Sequence, residues 1–342
     1  MRNKSVILVA FAIAILFLAS CSKTTSTGSS RTPFIGGTAG ITINFEKDSP
    51  PPEVTDDSTF SFRALLRLKN DGEYKVERQD IKLNLVGFDP DDFSQSFGSL
   101  KDVSPDDALD PKRRDSEGTI IEGITTFASF PGGGGDFIPK KFSGNTEFTF
   151  RAEACYHYET TGNVKVCMLR DMINVNDRSV CKPSGAKTIY SSAAPVQLGN
   201  FRQSVVGKDK ISFSFDIIES ANTDIFSDKD NIRPSSGFDA ACPRTPRERR
   251  QKEDRVTVEI FELPEDPVVA EFKCGGLDLY GYGSGKVGEV ILVSGRRTIT
   301  CTVDLVQDRA DLEKVLGLKV SYNVFDTKET KVLIKHLADL GT

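Results

Sequence analysis

The sequence predicts an all-β fold of two β-sandwich domains in tandem, and three observations support this prediction. Apolar and polar residues alternate along most of the chain, as they do in strands with one buried face. Clusters of Pro, Gly, Asn and Asp separate the alternating segments, which is typical of turns. Six cysteines follow residue 150, and an even number in an exported chain indicates disulfide bonds.

Composition narrows the classes of function. The chain has 342 residues and a net charge of −5, with 44 Lys+Arg against 49 Asp+Glu. This length suits two domains after removal of a leader, and the acidic balance argues against a nucleic-acid binder. The only histidines are His157 and His336, and tryptophan is absent. Histidine is the commonest general base and metal ligand, so few catalytic or metal sites can be built.

The N-terminus has the pattern of an export signal. Arg2 and Lys4 precede an apolar run at residues 6–19, which is too short for a stable membrane span. The run ends in Leu-Ala-Ser-Cys21, which resembles the lipobox of prokaryotic lipoproteins. The resemblance implies a signal peptide at 1–20 and lipidation of Cys21. The alternative is an ordinary secretory leader or an uncleaved anchor, and export is expected in either case.

The polar segment after Cys21 predicts a tether. Residues 21–32 contain mostly Ser, Thr and Gly, which cannot form a core. We therefore expect a protein anchored by its N-terminal lipid to the outer face of the cell membrane, or to an outer membrane if the envelope has two.

The first sandwich is predicted at 33–170. Strands are expected around Ile41–Ile43, Phe60–Leu68, Ile81–Leu85 and 120–130. A hairpin is then predicted around Thr160-Thr161-Gly162. That hairpin sets Cys155 opposite Cys167 and predicts a bridge between them, with His157 on the solvent face.

The second sandwich is predicted at 193–342, after a connector at 171–192. Alternation predicts strands around Ile211–Ile217, Val256–Ile260, Cys274, Cys301, Leu318–Val324 and Val332–Ile334. A short helix is predicted at 308–316, ending at Gly317. Cys274 and Cys301 both lie on apolar strand faces, which favours a second bridge. Cys181–Cys242 then follows by exclusion. The zinc spacing is missing, so no metal is expected.

Three phrases resemble the uncharacterised extracellular proteins with tandem immunoglobulin-like domains found in small-genome archaea. They are PFIGGTAGITINF from Pro33, CYHYETTGNVKVC from Cys155, and SSAAPVQL from Ser191. The later EFKC and TITC segments fit as well. The resemblance implies a surface-anchored lipoprotein with two immunoglobulin-like β-sandwiches, and it carries over no active-site residue.

The remaining motifs favour structure or binding over catalysis. Residues 281–288 read GYGSGKVG but fail the Walker A pattern, so a hairpin loop is expected, with Tyr280 and Tyr282 as a possible binding loop. The basic run 244–255 is interpreted as a solvated insertion. The acidic clusters beside Asp89 and Asp228 do not match an EF-hand and are interpreted as turns.

These observations predict a non-enzymatic cell-surface lipoprotein without a cofactor. It would act as a structural or adhesive module that binds a protein or polysaccharide partner. The alternative is a ligand-binding lipoprotein that delivers a solute or glycan to a membrane transport partner. An apolar pocket with a few convergent polar groups would favour the alternative.

Overall fold

The fold is all-β and sandwich-like, and the computed structural model describes residues 32–56, 60–176, 178–220, 223–228, 237–277 and 286–337. The strands are β1 Ile41–Phe45, β2 Glu53–Thr55, β3 Ala64–Asn70, β4 Ile81–Val86, β5 Arg113–Arg114, β6 Ile120–Ile121, β7 Thr125–Phe130, β8 Thr146–Met168, β9 Gly185–Ala186, β10 Ile189–Ser191, β11 Val196–Gly207, β12 Lys210–Glu219, β13 Asp224–Phe226, β14 Arg255–Phe261, β15 Val269–Cys274, β16 Val287–Ile291, β17 Arg296–Leu305 and β18 Leu312–Lys335. Two short α-helices, Phe238–Ala241 and Pro246–Lys252, lie between β13 and β14. No described helix is long and apolar enough to span a membrane.

Two long strands form the centre of the molecule. All 23 residues of β8 pair antiparallel with β18, from Thr146 opposite Ile334 to Met168 opposite Leu312. β10, β4, β14 and β16 extend this sheet on its two sides, and β2 and β13 also pair with β18. Apolar and polar residues alternate along most of both segments, and the ladder continues through residues 160–162 of β8 and 326–330 of β18, where the alternation fails.

The predicted hairpin at residues 160–162 is wrong, because β8 continues through it. Thr161 and Gly162 pair with Lys319 and Leu318 in the ladder. A Cβ atom on Gly162 would lie 2.6 Å from Leu198 Cδ1 and 3.0 Å from the carbonyl oxygen of Tyr190. This glycine is therefore required for close packing and not for a turn.

The even-numbered residues of β8 form the inner face of the central sheet. Tyr158 donates a hydrogen bond to Asn70 of β3 at 3.3 Å, in the three-stranded sheet β1-β3-β7. Thr160 donates to the carbonyl oxygen of Val196 at 2.7 Å, in the five-stranded sheet β15-β17-β12-β11-β9. Both smaller sheets thus cover the same long face, and one hydrophobic core runs between them.

The predicted tandem arrangement of immunoglobulin-like domains is not confirmed. Residues of the predicted first domain, in β8, pair along their whole length with residues of the predicted second domain, in β18. Pro33–Thr342 clusters as one compact unit, with no division at the expected connector 171–192.

The predicted helix at 308–316 is also wrong. Residues 312–316 begin β18, and Gly317 lies within that strand opposite Phe261 of β14. A Cβ atom on Gly317 would lie 2.3 Å from the Phe261 ring. As at Gly162, the glycine makes room for a neighbour across the sheet and does not end a helix.

Three cystines form, and only one has the predicted partners. Cys274–Cys301 joins opposed residues of β15 and β17, as expected. The other bridges are Cys155–Cys242 and Cys167–Cys181, so the predicted pairs Cys155–Cys167 and Cys181–Cys242 are wrong. Because β8 does not turn, its two cysteines lie roughly 40 Å apart at about 3.3 Å per residue. Three cystines are typical of an oxidising, extracellular setting.

Candidate functional site

Two surface regions are tied to the long strand β8 by cystines, and they are the candidate binding regions. The first, which we call the disulfide loop, is residues 169–180 between Cys167 and Cys181, without the undescribed residue 177. The second, the helical insert, is residues 237–253 and holds Cys242, which bonds to Cys155. A loop fixed at a rigid scaffold is a common position for a binding site.

The disulfide loop presents large aliphatic side chains to solvent. Ile173 is 64% exposed, Val180 63% and Val175 41%. Its beginning is buried instead, because Leu169 and Met172 are each 2% exposed and pack in the core. Three exposed aliphatic residues on one short loop are a stronger indication of a contact surface than single exposed residues are.

Arg309 fixes the base of the disulfide loop. Its guanidinium group donates to the carbonyl oxygen of Leu169 at 2.7 Å and to Asp209 Oδ1 at 2.8 Å. It also donates to the carbonyl oxygens of Arg170, Val306 and Lys208. The side chain is fully buried, so these bonds replace its hydration and hold three chain segments together.

A turn at Asp171 shapes the exposed part of the loop. Its carboxylate accepts hydrogen bonds from the side-chain amide of Asn174 and from the backbone N–H groups of Asn174 and Ile173. These bonds lower the pKa of Asp171 to about 2, so the carboxylate stays charged at ordinary pH. The turn keeps Ile173 pointing away from the base.

The helical insert packs aromatic residues against the outer face of the central sheet. Phe238, Phe226 and the Cys155–Cys242 cystine form a small second core, with Phe325 at its edge. The helix Pro246–Lys252 begins with Thr245, whose hydroxyl accepts from the backbone N–H of Glu248 and donates to its carboxylate. This reciprocal cap, followed by Pro246, is a local signal for a helix start.

A cleft of about 430 Å³ lies between the insert and the sheet, and we call it the arginine cleft. Its lining side chains come from β8, β18 and the insert: Arg151, Glu153, Arg244, Arg249, Phe325, Thr327 and Glu329. A second cleft, of about 610 Å³, lies beside the glycine-rich segment after Pro131 and includes Arg63, Arg78 and Lys101. It has no aromatic residue among its lining side chains.

The remaining predicted site residues are placed as follows. Cys21, Tyr280 and Tyr282 lie outside the described residues, so lipidation and the predicted binding loop stay predictions. Asp89 accepts from the backbone N–H of Asp91 and caps a 3-10 helix, which confirms its interpretation as a turn residue. No group of three or more His, Cys, Asp or Glu within the described ranges could hold a metal ion.

His157 differs from expectation, and His336 pairs with a carboxylate. His157 is 1% exposed and not on the surface, and its ring contacts that of Tyr74, with 5.9 Å between the ring centres. His336 Nδ1 lies 2.8 Å from Asp56 Oδ2. Hydrogen bonds from the Leu337 backbone N–H, from His336 and from the Phe142 backbone N–H lower the pKa of Asp56 to about 2.

Sequence reasoning missed Arg309 and the disulfide loop. The segment MINVNDRSVC, from Met172 to Cys181, was interpreted as a polar connector, although it carries Ile173, Val175 and Val180. Aliphatic residues inside a polar segment that ends in a cysteine were the available signal. Arg309 had none, because its acceptors, four backbone carbonyls and the Asp209 carboxylate, are brought together only by folding.

Comparison with protein-family models finds no family that matches the chain, and comparison with curated proteins finds no match.

Proposed function

We propose that the protein is a non-enzymatic cell-surface lipoprotein that acts as an adhesive module, with the disulfide loop as its contact to a partner protein. The observation that carries the proposal is the exposure of Ile173, Val175 and Val180 on a loop whose base is fixed. Fixing the loop before binding removes much of the entropy that a flexible loop would lose.

The chemistry of the loop favours a protein partner. Each aliphatic side chain that leaves water contributes roughly 1.5–3 kcal/mol, so three of them are enough to anchor a protein contact. A polysaccharide contact would use polar groups or aromatic rings, and the exposed part of the loop has aliphatic chains in their place. Lipidation of Cys21 would hold this contact at the outer face of the cell membrane.

Charged substitutions in the loop test the contact. The full chain is displayed on its own cells, treated with a cross-linker, and its cross-linked partner is quantified by mass spectrometry. We expect the double variant Ile173→Asp, Val180→Asp to reduce recovery of that partner roughly tenfold or more, because buried unpaired carboxylates oppose binding. The control Ile121→Asp changes an exposed isoleucine on β6 and should retain it. Equal recovery from both variants would contradict the proposal.

Membrane attachment has its own test. Metabolic labelling with an alkyne fatty acid should mark the wild-type chain, and Cys21→Ala should lose both the label and the membrane fraction. An unlabelled wild-type chain would show that the lipoprotein prediction is wrong.

A further inference from the structure

We infer that the arginine cleft is a binding site for an acidic sugar, with the carboxylate of a uronic acid as the recognised group. This inference does not depend on the adhesive role of the disulfide loop. It rests on the position, rigidity and unused hydrogen-bonding capacity of the side chains in the cleft.

The register between β8 and β18 determines which side chains form the floor of the cleft. On the outer face of the central sheet, Arg151 lies opposite Glu329, Glu153 opposite Thr327, and Cys155 opposite Phe325. Three successive cross-strand pairs therefore place one guanidinium group, two carboxylates, a hydroxyl and a half-buried aromatic ring on one surface. A slip of one residue would exchange the two faces and bring the buried tyrosines to the surface of the cleft.

The wall of the cleft comes from the helical insert and is held in place. Arg249 donates to Asp224 at 2.5 Å and to Glu253 at 2.9 Å, and its guanidinium carbon lies 5.8 Å from the centre of the Phe325 ring. Arg244 donates to Glu153 and lies over the ring of Phe238 at 5.3 Å. The Cys155–Cys242 cystine joins wall to floor, so the cleft is formed before a ligand enters.

The arginines of the cleft retain donors that the described residues do not use. Both hydrogen bonds of Arg249 leave from Nη2, so Nε and Nη1 have no hydrogen-bond acceptor among the residues that the structure describes. Within the part of the chain that the structure describes, Arg151 makes only ion pairs, of 3.4 Å to Glu153 and 3.7 Å to Glu329. Fixed guanidinium groups with free N–H donors are suited to bidentate recognition of a carboxylate.

The mixture of groups favours a sugar acid over other anions. The cleft combines three arginines with two glutamates, and Asp224 and Glu253 pair with Arg249 beside it, so free guanidinium N–H donors and not an excess of positive charge would hold a carboxylate. Glu153, Glu329 and Thr327 can accept hydrogen bonds from sugar hydroxyls, and Phe325 offers its ring to the apolar face of a pyranose. A phosphate dianion would be repelled by the same two glutamates more strongly than the single charge of a uronate. The volume of the cleft lies within the roughly 300–1,000 Å³ of small-ligand sites.

Titration calorimetry with the mature chain tests this inference, using trigalacturonate as the probe and galactotriose as its neutral match. We expect saturable binding of trigalacturonate that weakens as salt increases, and at least tenfold weaker binding of galactotriose. Inorganic phosphate should not compete.

Arg151→Gln is the decisive variant, because this half-exposed side chain makes only long ion pairs and its loss should not unfold the protein. It should weaken trigalacturonate binding roughly tenfold with an unchanged melting temperature, whereas Arg67→Gln, an exposed arginine 3.7 Å from Glu46, should change neither. Ile173→Asp should leave uronate binding intact, which separates this site from the loop.

Several results would overturn the inference. They are no saturable binding of trigalacturonate in the millimolar range, equal affinity for galactotriose, displacement by inorganic phosphate, or unchanged affinity in Arg151→Gln.

Discussion

The disulfide loop and the helical insert are both joined to β8 by a cystine, yet they present opposite chemistry to solvent. The loop buries Leu169 and Met172 and exposes aliphatic side chains. The insert buries Phe238 and Cys242 and presents arginines that are exposed or half-buried. The two cysteines that close the loop are 14 residues apart in the sequence, and the two that join the insert to β8 are 87 residues apart.

The comparison shows how one strand can carry two different surfaces. A strand of 23 residues spans most of the molecule, so cysteines near its middle and its end anchor segments that do not share a core. The amino-acid composition of each anchored segment then determines which side chains it presents to solvent. Four predictions test this division, from the largest expected effect to the smallest.

Removal of the cystines should affect the two regions unequally. In the chain-entropy account, a cross-link that closes a longer loop stabilises more, so the double variant Cys155→Ala, Cys242→Ala should lose about 4.5 kcal/mol of unfolding free energy. Cys167→Ala, Cys181→Ala should lose about 3 kcal/mol. Urea unfolding of both variants measures the difference, and a larger loss at the shorter loop would contradict the comparison.

Arg309→Met should loosen the disulfide loop and leave the insert unchanged. The substitution removes every hydrogen bond of a buried guanidinium group and leaves Asp209 and several carbonyl oxygens unpaired. We expect a loss of about 2–3 kcal/mol, with faster amide hydrogen exchange at residues 169–176 and not at 246–252. The control Arg178→Met changes an exposed arginine and should have little effect. Faster exchange in both regions would show that they are coupled.

Gly317→Ala tests the shared central sheet to which both regions are joined. The new methyl group would meet the Phe261 ring, so we expect a destabilisation of about 1–3 kcal/mol from overpacking. Gly144→Ala adds the same methyl where no atom lies within 4 Å and should be nearly neutral. Thermal unfolding followed by circular dichroism compares the two. Equal melting temperatures would mean that the Phe261 ring moves aside without any loss of unfolding free energy.

Glu219 makes the neighbourhood of the insert sensitive to pH. Burial raises its pKa from 4.5 to about 7, and the charges of Asp254 and Asp224 add to the effect. The folded chain therefore holds this proton where the unfolded chain has lost it, and stability falls as pH rises from 4.5 to 7. Because Glu219 is only partly buried, we expect a loss on the order of 1 kcal/mol, allowing for solvent screening.

Glu219→Gln should remove this decline, and the exposed Glu271→Gln should keep it. Urea unfolding at a series of pH values between 4.5 and 8 gives the measurement. A variant with the wild-type slope would assign the pH dependence to other groups.

Local patterns were sufficient for most strands. Ile41, Ile43 and Phe45 alternate along β1, and Ile211, Phe213 and Ile217 along β12, as the period of two residues requires. The bridge Cys274–Cys301 was also within reach, since both cysteines lie on apolar strand faces. In the candidate regions, Thr245 and Glu248 signalled a helix that the basic composition concealed.

The positions of Gly162 and Gly317 show where local patterns fail. From the sequence, Gly162 fits a turn and Gly317 fits the end of a helix. Only the neighbouring residues in the folded structure show that each glycine is needed for close packing inside a strand. Once the turn at Gly162 was assumed, the pairing of Cys155 and Cys167 followed, and the partner of Cys242 was lost with it.

By itself the sequence determined the strand pattern and the cystine count, because alternation and parity are properties of neighbouring residues, and its short apolar leader predicts an export signal. Only the tertiary structure decided that β8 and β18 pair along their full length, which cysteines meet, and that Arg151, Arg249 and Phe325 surround one cleft. These outcomes depend on contacts between residues far apart in the chain. Such contacts form when a core is buried, and no local pattern encodes them.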